Sequence, residues 1–136
     1  MCSSDLGAYL SLTANIVTTA IREAALRAQY QSNLEIYQSQ KSLADLIAKQ
    51  LEIGTASRVD LTSQTALTAS SQIDLLNIDK NLSFTRNQLA VYVGDFPGNA
   101  QLAKFDLSKL HLPENIPLSL PSDLVRQRPD IQAAEA

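Results

Sequence analysis

Apolar residues in the first half of the chain recur in alternating steps of four and three. Tyr30, Leu34, Tyr37, Lys41, Ala44, Ala48 and Leu51 form a heptad seam with one charged interruption at Lys41. Ile36, Leu43 and Ile47 make a second apolar stripe beside it, and two stripes on one helix call for more than one neighbour. The 46 residues from Ala8 to Ile53 contain neither Gly nor Pro, enough for about 69 Å of helix. At its start Ala8, Leu10, Leu12, Ala14 and Ile16 alternate with polar or aromatic residues, which is strand periodicity. With no turn between this stretch and the clear helix after Ala20, it is read as helix.

Gly54 interrupts the pattern as a residue just past a helix end does when it takes positive φ. Thr55-Ala56-Ser57-Arg58 is a short polar turn, with Ser57 placed to cap the next helix and Asp60 adding a carboxylate to its first turn. Asp60 to Val93 is a second breaker-free run of 34 residues, about 51 Å of helix. It carries Leu75, Leu82 and Leu89 at strict sevens, with Ala66, Ala69, Ile73 and Leu76 alongside. So short a connection makes the two helices antiparallel neighbours.

Gly94-Asp95-Phe96-Pro97-Gly98-Asn99 then ends the second helix, and Pro113, Pro117 and Pro121 favour extended chain beyond it. Arg128-Pro129-Asp130-Ile131, followed by Gln, Ala and Glu, looks like the start of another helix, with proline in the first turn. The predicted fold is all-α: a long antiparallel α-hairpin over 8–94 with its tip at 54–58, an extended Pro-rich linker over 95–127, and a helix start at 128–136. Residues 1–7 are read as a non-native or truncated N-terminus, Cys2 being preceded by Met1 alone and not by the apolar stretch a lipobox follows.

Composition narrows the chemistry. One Cys and one His leave no disulfide framework or Cys/His metal site within 136 residues. A net charge of −3 offers no footprint for nucleic acid. The apolar runs are far shorter than the ~20 residues of a membrane-spanning helix. Glu23, Glu35, Asp45, Glu52, Asp60, Asp74 and Asp79 are scattered, without the close pairing that acid and base catalysis uses. His111 sits in the Pro-rich segment with no nucleophile elbow, and Gly54-Thr55-Ala56-Ser57 lacks the second Gly and the Lys of a phosphate loop. The expectation is a chain that is not an enzyme and takes no cofactor or metal. Ser32, Asn33, Gln38, Ser39, Gln40, Thr62, Ser63, Gln64, Ser70, Ser71, Gln72 and Asn77 give the expected outer faces many uncharged polar residues, suited to solvent or a wide aqueous space.

Three segments, in order and at matching spacing, resemble the TolC/OprM outer-membrane efflux family over essentially all of residues 8–136. Gly54-Thr55-Ala56-Ser57-Arg58-Val59-Asp60-Leu61 is similar to the family's periplasmic tip, G-x-x-S-x-x-D before an apolar residue. Leu89-Ala90-Val91-Tyr92-Val93-Gly94 is similar to its helix ending. Leu120-Pro121-Ser122-Asp123-Leu124 through Arg128-Pro129-Asp130-Ile131 is similar to the linker that opens the second structural repeat. The nearest likeness is to the NodT-type lipoprotein branch serving resistance-nodulation-division pumps.

The resemblance implies a parent homotrimer with a periplasmic α-barrel beneath an outer-membrane β-barrel, of which this chain supplies the first hairpin and equatorial linker. It implies passive export of drugs, metals or other small solutes, driven by an inner-membrane pump. It further implies docking of a periplasmic adaptor (membrane fusion protein) at Gly54, Thr55, Ser57, Arg58 and Asp60, and a repeat start at Arg128, Pro129, Asp130 and Ile131. The implied location is the bacterial outer membrane, with this segment in the periplasm. A soluble periplasmic α-hairpin interaction module, such as an adaptor's own coiled coil, is the alternative.

Overall fold

The computed structural model describes residues 3–98, 100–109, 111 and 131. Two long helices dominate it, α1 over Ser3–Glu52 and α2 over Arg58–Val93. They pack antiparallel as a hairpin, and no strand occurs among the described residues. The ambiguous stretch from Ala8 to Ile16 is helical. Gly7 does not end the helix, which includes residues 3–7 as well. Arg128, Pro129 and Asp130 lie outside the described residues, as does most of the Pro-rich segment; Ile131 is helical.

Both helices end by the same device. Gly54 has φ +79° and Gly94 φ +82°. At each, the glycine N–H bonds the carbonyl three residues back (Gly54 to Leu51, 3.0 Å; Gly94 to Val91, 3.1 Å). The next N–H reaches five residues back (Thr55 to Gln50, 2.8 Å; Asp95 to Ala90, 3.0 Å), closing a Schellman motif that satisfies the last carbonyls.

The seam between the helices follows the heptad. On α2 it runs through Leu61, Gln64, Thr68, Ser71, Leu75, Ile78, Leu82, Thr85, Leu89 and Tyr92, all buried or half-buried. Leu75, Leu82 and Leu89 therefore face α1 as their spacing predicts. On α1, Tyr30, Leu34, Tyr37, Ala44, Ala48 and Leu51 face inward, but Lys41 does not: it is exposed, and Gln40 occupies that level of the seam. The reason is local chemistry. Gln64 Nε2 donates to Gln40 Oε1 at 2.5 Å and to the Gln40 carbonyl at 3.2 Å, and Thr68 Oγ1 lies 3.2 Å from the same carbonyl. Gln64, only 6% exposed, and its half-buried companions Gln40 and Ser71 thus line the interior and are not outer-face residues.

The apolar residues expected beside the seam point outward. Ala66, Ala69, Ile73 and Leu76 on α2 are exposed, and so are Ile36 and Leu43 on α1, whereas Ile47 turns inward and Leu46 continues the outer stripe. The outer residues keep heptad spacing of their own: Ile36, Ser39, Leu43, Leu46, Gln50, Ile53 on α1, and Val59, Thr62, Ala66, Ala69, Ile73, Leu76 on α2.

Beyond α2, the described linker residues 95–98 and 100–109 are irregular apart from one 3-10 turn at Leu107–Lys109, where extended chain is expected from sequence. Asp106 makes that turn: its Oδ1 accepts from the Ser108 N–H (3.1 Å) and hydroxyl (2.8 Å), and its carbonyl accepts from Lys109 N–H (3.1 Å). These bonds from Ser108, with the nearby Lys109 and Arg27 charges, hold the Asp106 carboxyl below its ordinary range.

Candidate functional site: the hairpin tip

The tip is built from its own backbone and three side chains. Beyond the Schellman turn at Gly54, Thr55 Oγ1 donates to the Gln50 carbonyl at 3.1 Å and the Ala56 N–H lies 3.3 Å from that oxygen. Ser57 is extended (φ −98°, ψ 160°) and caps α2. Its Oγ accepts from the Asp60 N–H at 3.1 Å and donates to Asp60 Oδ2 at 2.6 Å, while the Ser57 N–H bonds that oxygen at 3.0 Å. This is a reciprocal capping box with Asp in the place more often held by Glu or Gln. The Ser57 side-chain and backbone bonds stabilise the charged carboxylate and lower the Asp60 pKa from its usual value.

The five tip residues singled out from sequence are brought together, but they divide by role. Gly54, Thr55, Ser57 and Asp60 satisfy one another or the helix ends. Arg58 is exposed, and its guanidinium has no hydrogen bond or ion pair among the described residues. Two residues that sequence reasoning passed over complete the surface: Ile53, 75% exposed, and Val59, 72% exposed, flank the turn. Their signal was present, since each falls out of register with the seam positions Leu51 and Leu61. The tip is thus a rigid turn displaying two apolar side chains and a cation. Nothing in it supplies a nucleophile with a base, and no group of three or more His, Cys, Asp or Glu able to hold a metal occurs among the described residues.

The opposite end of the hairpin holds the most buried residues. Ala24, Thr85, Leu89 and Ala90 are buried there, as is Glu23, a carboxylate only 3% exposed. Glu23 Oε1 accepts from Arg27 and lies 3.9 Å from Arg86 Nε. His111 is exposed. An open groove of about 430 Å³ runs between α1 and the linker, bordered by Arg27, Tyr30, Gln31, Lys104 and Phe105. No helix among the described residues is long and apolar enough to cross a membrane.

These features define a long, doubly striped α-hairpin with a capped, exposed tip. The chain is 28% identical over 127 residues to the fusaric acid resistance protein FusA of Burkholderia cepacia, an alignment covering 93% of this chain and 24% of that protein. It therefore spans about a quarter of that protein's length. No family model and no solved structure matches it.

Proposed function

We propose that the chain is the first periplasmic hairpin of an outer-membrane efflux duct of the TolC/OprM kind, one stave of a trimeric α-barrel through which drugs, metals or other small solutes leave passively. The observation that carries this reading is the pair of outer heptad stripes. A hairpin that needed only its own seam would surround it with solvated charge. Here Ile36, Leu43 and Leu46 on one helix and Ile73 and Leu76 on the other stand exposed at coiled-coil spacing, so each helix is built to accept a further helix on its outer side. A closed ring of such staves meets that demand without leaving an edge, and its polar residues suit an aqueous bore. The resistance named for the Burkholderia relative agrees with export of a toxic solute. No chemical step is assigned to the chain; the driving energy comes from an inner-membrane pump.

At the tip, Ile53, Arg58 and Val59 form the surface for a periplasmic adaptor, with Gly54, Thr55, Ser57 and Asp60 holding its shape. The Arg128-Pro129-Asp130-Ile131 segment opens the second repeat. The test is to express the chain with its native flanking sequence, fractionate the envelope and crosslink. A trimer in the outer-membrane fraction, with adaptor adducts from cysteines at Thr55 or Ala56, is expected. A monomer in the soluble periplasm would overturn the duct in favour of a stand-alone hairpin module.

A further inference from the structure

A buried carboxylate is an expensive choice for the driest part of a coiled-coil seam. Replacing such a pair by apolar side chains of similar volume is often neutral or stabilising. Its use must then lie in what the charge arrangement requires of its neighbours. Glu23 sits where three segments meet. Arg27, one turn further along α1, donates through Nη2 to Glu23 Oε1 and through Nη1 to the carbonyl of Phe105 in the linker, the latter at 3.1 Å. Arg86 of α2 stands 3.9 Å from the same carboxylate oxygen. Glu23 Oε2 is buried and accepts no hydrogen bond among the described residues. A single guanidinium thus joins the hairpin interior to the linker, and a second stands beside the same carboxylate.

We propose that Glu23 and Arg27 form a latch that makes the seating of the 100–109 linker conditional on the packing of α1 against α2 at the root of the hairpin. The planar fork of Arg27 serves both acceptors only while Glu23 fixes its orientation. If α2 moves and Arg86 draws the carboxylate toward itself, Arg27 loses that restraint and the Phe105 carbonyl loses its donor. If the linker lifts first, Arg27 is free to turn and the root loosens. Displacement at either place is transmitted to the other through two side chains. Lysine would not substitute for Arg27, because a point-like ammonium lacks the fork that holds two acceptors in fixed directions. This coupling does not depend on the duct reading.

The experiment uses spin-label distance distributions in the folded protein carrying its native flanking sequence, with Cys2 replaced by serine. One label pair, at Gln31 and Lys104, spans the groove between α1 and the linker. A second, at Arg22 and Asn87, spans the two helices at the root. Arg27→Met keeps the aliphatic stem and removes the donors; it is expected to broaden the first distribution at least twofold while the helices remain paired. Glu23→Gln keeps the shape and removes the charge; it is expected to broaden both. Arg27→Lys should behave as Arg27→Met at the groove. The latch is overturned if the groove distribution is unchanged in both Arg27→Met and Glu23→Gln, which would mean that apolar contacts of the linker alone seat it. It is equally overturned if Arg27→Lys restores the native groove distribution, since charge without the fork would then suffice.

Discussion

The two ends of the hairpin differ in how deeply their interiors are buried and in what fills them. On the tip side the seam includes a polar level: Gln40, Gln64, Thr68 and Ser71 hydrogen-bond across or along the helices below half-buried Ala48, Leu51 and Leu61, and the turn satisfies its own backbone. Toward the root burial is deepest, with Leu89 only 4% exposed and Ala24, Ala90, Thr19 and Thr85 buried as well, together with one carboxylate held by arginines. Apolar burial stabilises in proportion to area, whereas exchanging water for protein hydrogen bonds yields little net. The root therefore holds the hairpin together, and the tip is kept in shape mainly by local bonds. Such a division suits a structure held together at one end that presents the other.

The contrast can be broken from the root. Leu89→Ala should cost about 2–4 kcal/mol in urea unfolding, the largest effect of any single truncation; a loss below about 1 kcal/mol would show that the root is not the stabilising end. The glycines test whether the two ends are terminated alike. A Cβ would meet no atom within 4 Å at Gly54 or Gly94, so Gly→Ala at either should cost only the positive-φ penalty, about 1–2 kcal/mol. Unequal costs would mean that one turn is strained or supported beyond what its backbone shows. In the polar seam, the double change Gln40→Leu/Gln64→Leu should be neutral or stabilise by about 1 kcal/mol, the reverse of its effect on a seam that depended on those bonds.

The smallest effect belongs to the cap. Ser57→Ala should destabilise by about 1 kcal/mol and alter the acid limb of stability. Asp60 has a folded pKa below its usual 3.8, so its contribution is present above that value and is lost as pH falls through the lower folded one. Removing the Ser57 hydroxyl should therefore flatten the decline below pH ~4. An unchanged acid limb would show that the Ser57 side chain does not hold the carboxylate charged.

How much of this was legible in the sequence differs between the same two ends. The turn could be read because its signals are local: Gly54 and Gly94 end the helices, and Ser57 with Asp60 starts α2. The leucines at 75, 82 and 89 could be read because one helix's period is enough to place them on a common face. What could not be read was which of two parallel stripes met the partner. Lys41 continues the arithmetic of the α1 seam, yet Gln40 fills it because Gln64 and Thr68 on the other helix bond there. Ala66, Ala69, Ile73 and Leu76 have the spacing of a packed face, yet they stand exposed, turned away from α1. The alternation from Ala8 to Ile16 was ambiguous for a related reason. Glu23 lies near Arg86, so Val93, the end of α2 and seven residues beyond Arg86, comes level with Ile16, seven residues before Glu23. Residues 8–15 thus extend past α2 and are exposed, so nothing in this hairpin imposes a helical apolar face on them. Glu23 looked like one scattered carboxylate among seven because its partners lie on another helix and in the linker.

The doubly striped hairpin as one stave of a ring is tested most directly by thiol accessibility in the envelope of the native host. Single cysteines at Ile36, Leu43, Ile73 and Leu76 would be compared with cysteines at Ile53 and Val59, using a membrane-impermeant maleimide after the outer membrane is opened and with the adaptor deleted. Covered stripes and an open tip are expected: labelling at the four stripe positions at least tenfold slower than at Ile53 and Val59. Equal, rapid labelling at all six would contradict the stave, leaving a hairpin whose outer faces stand in water.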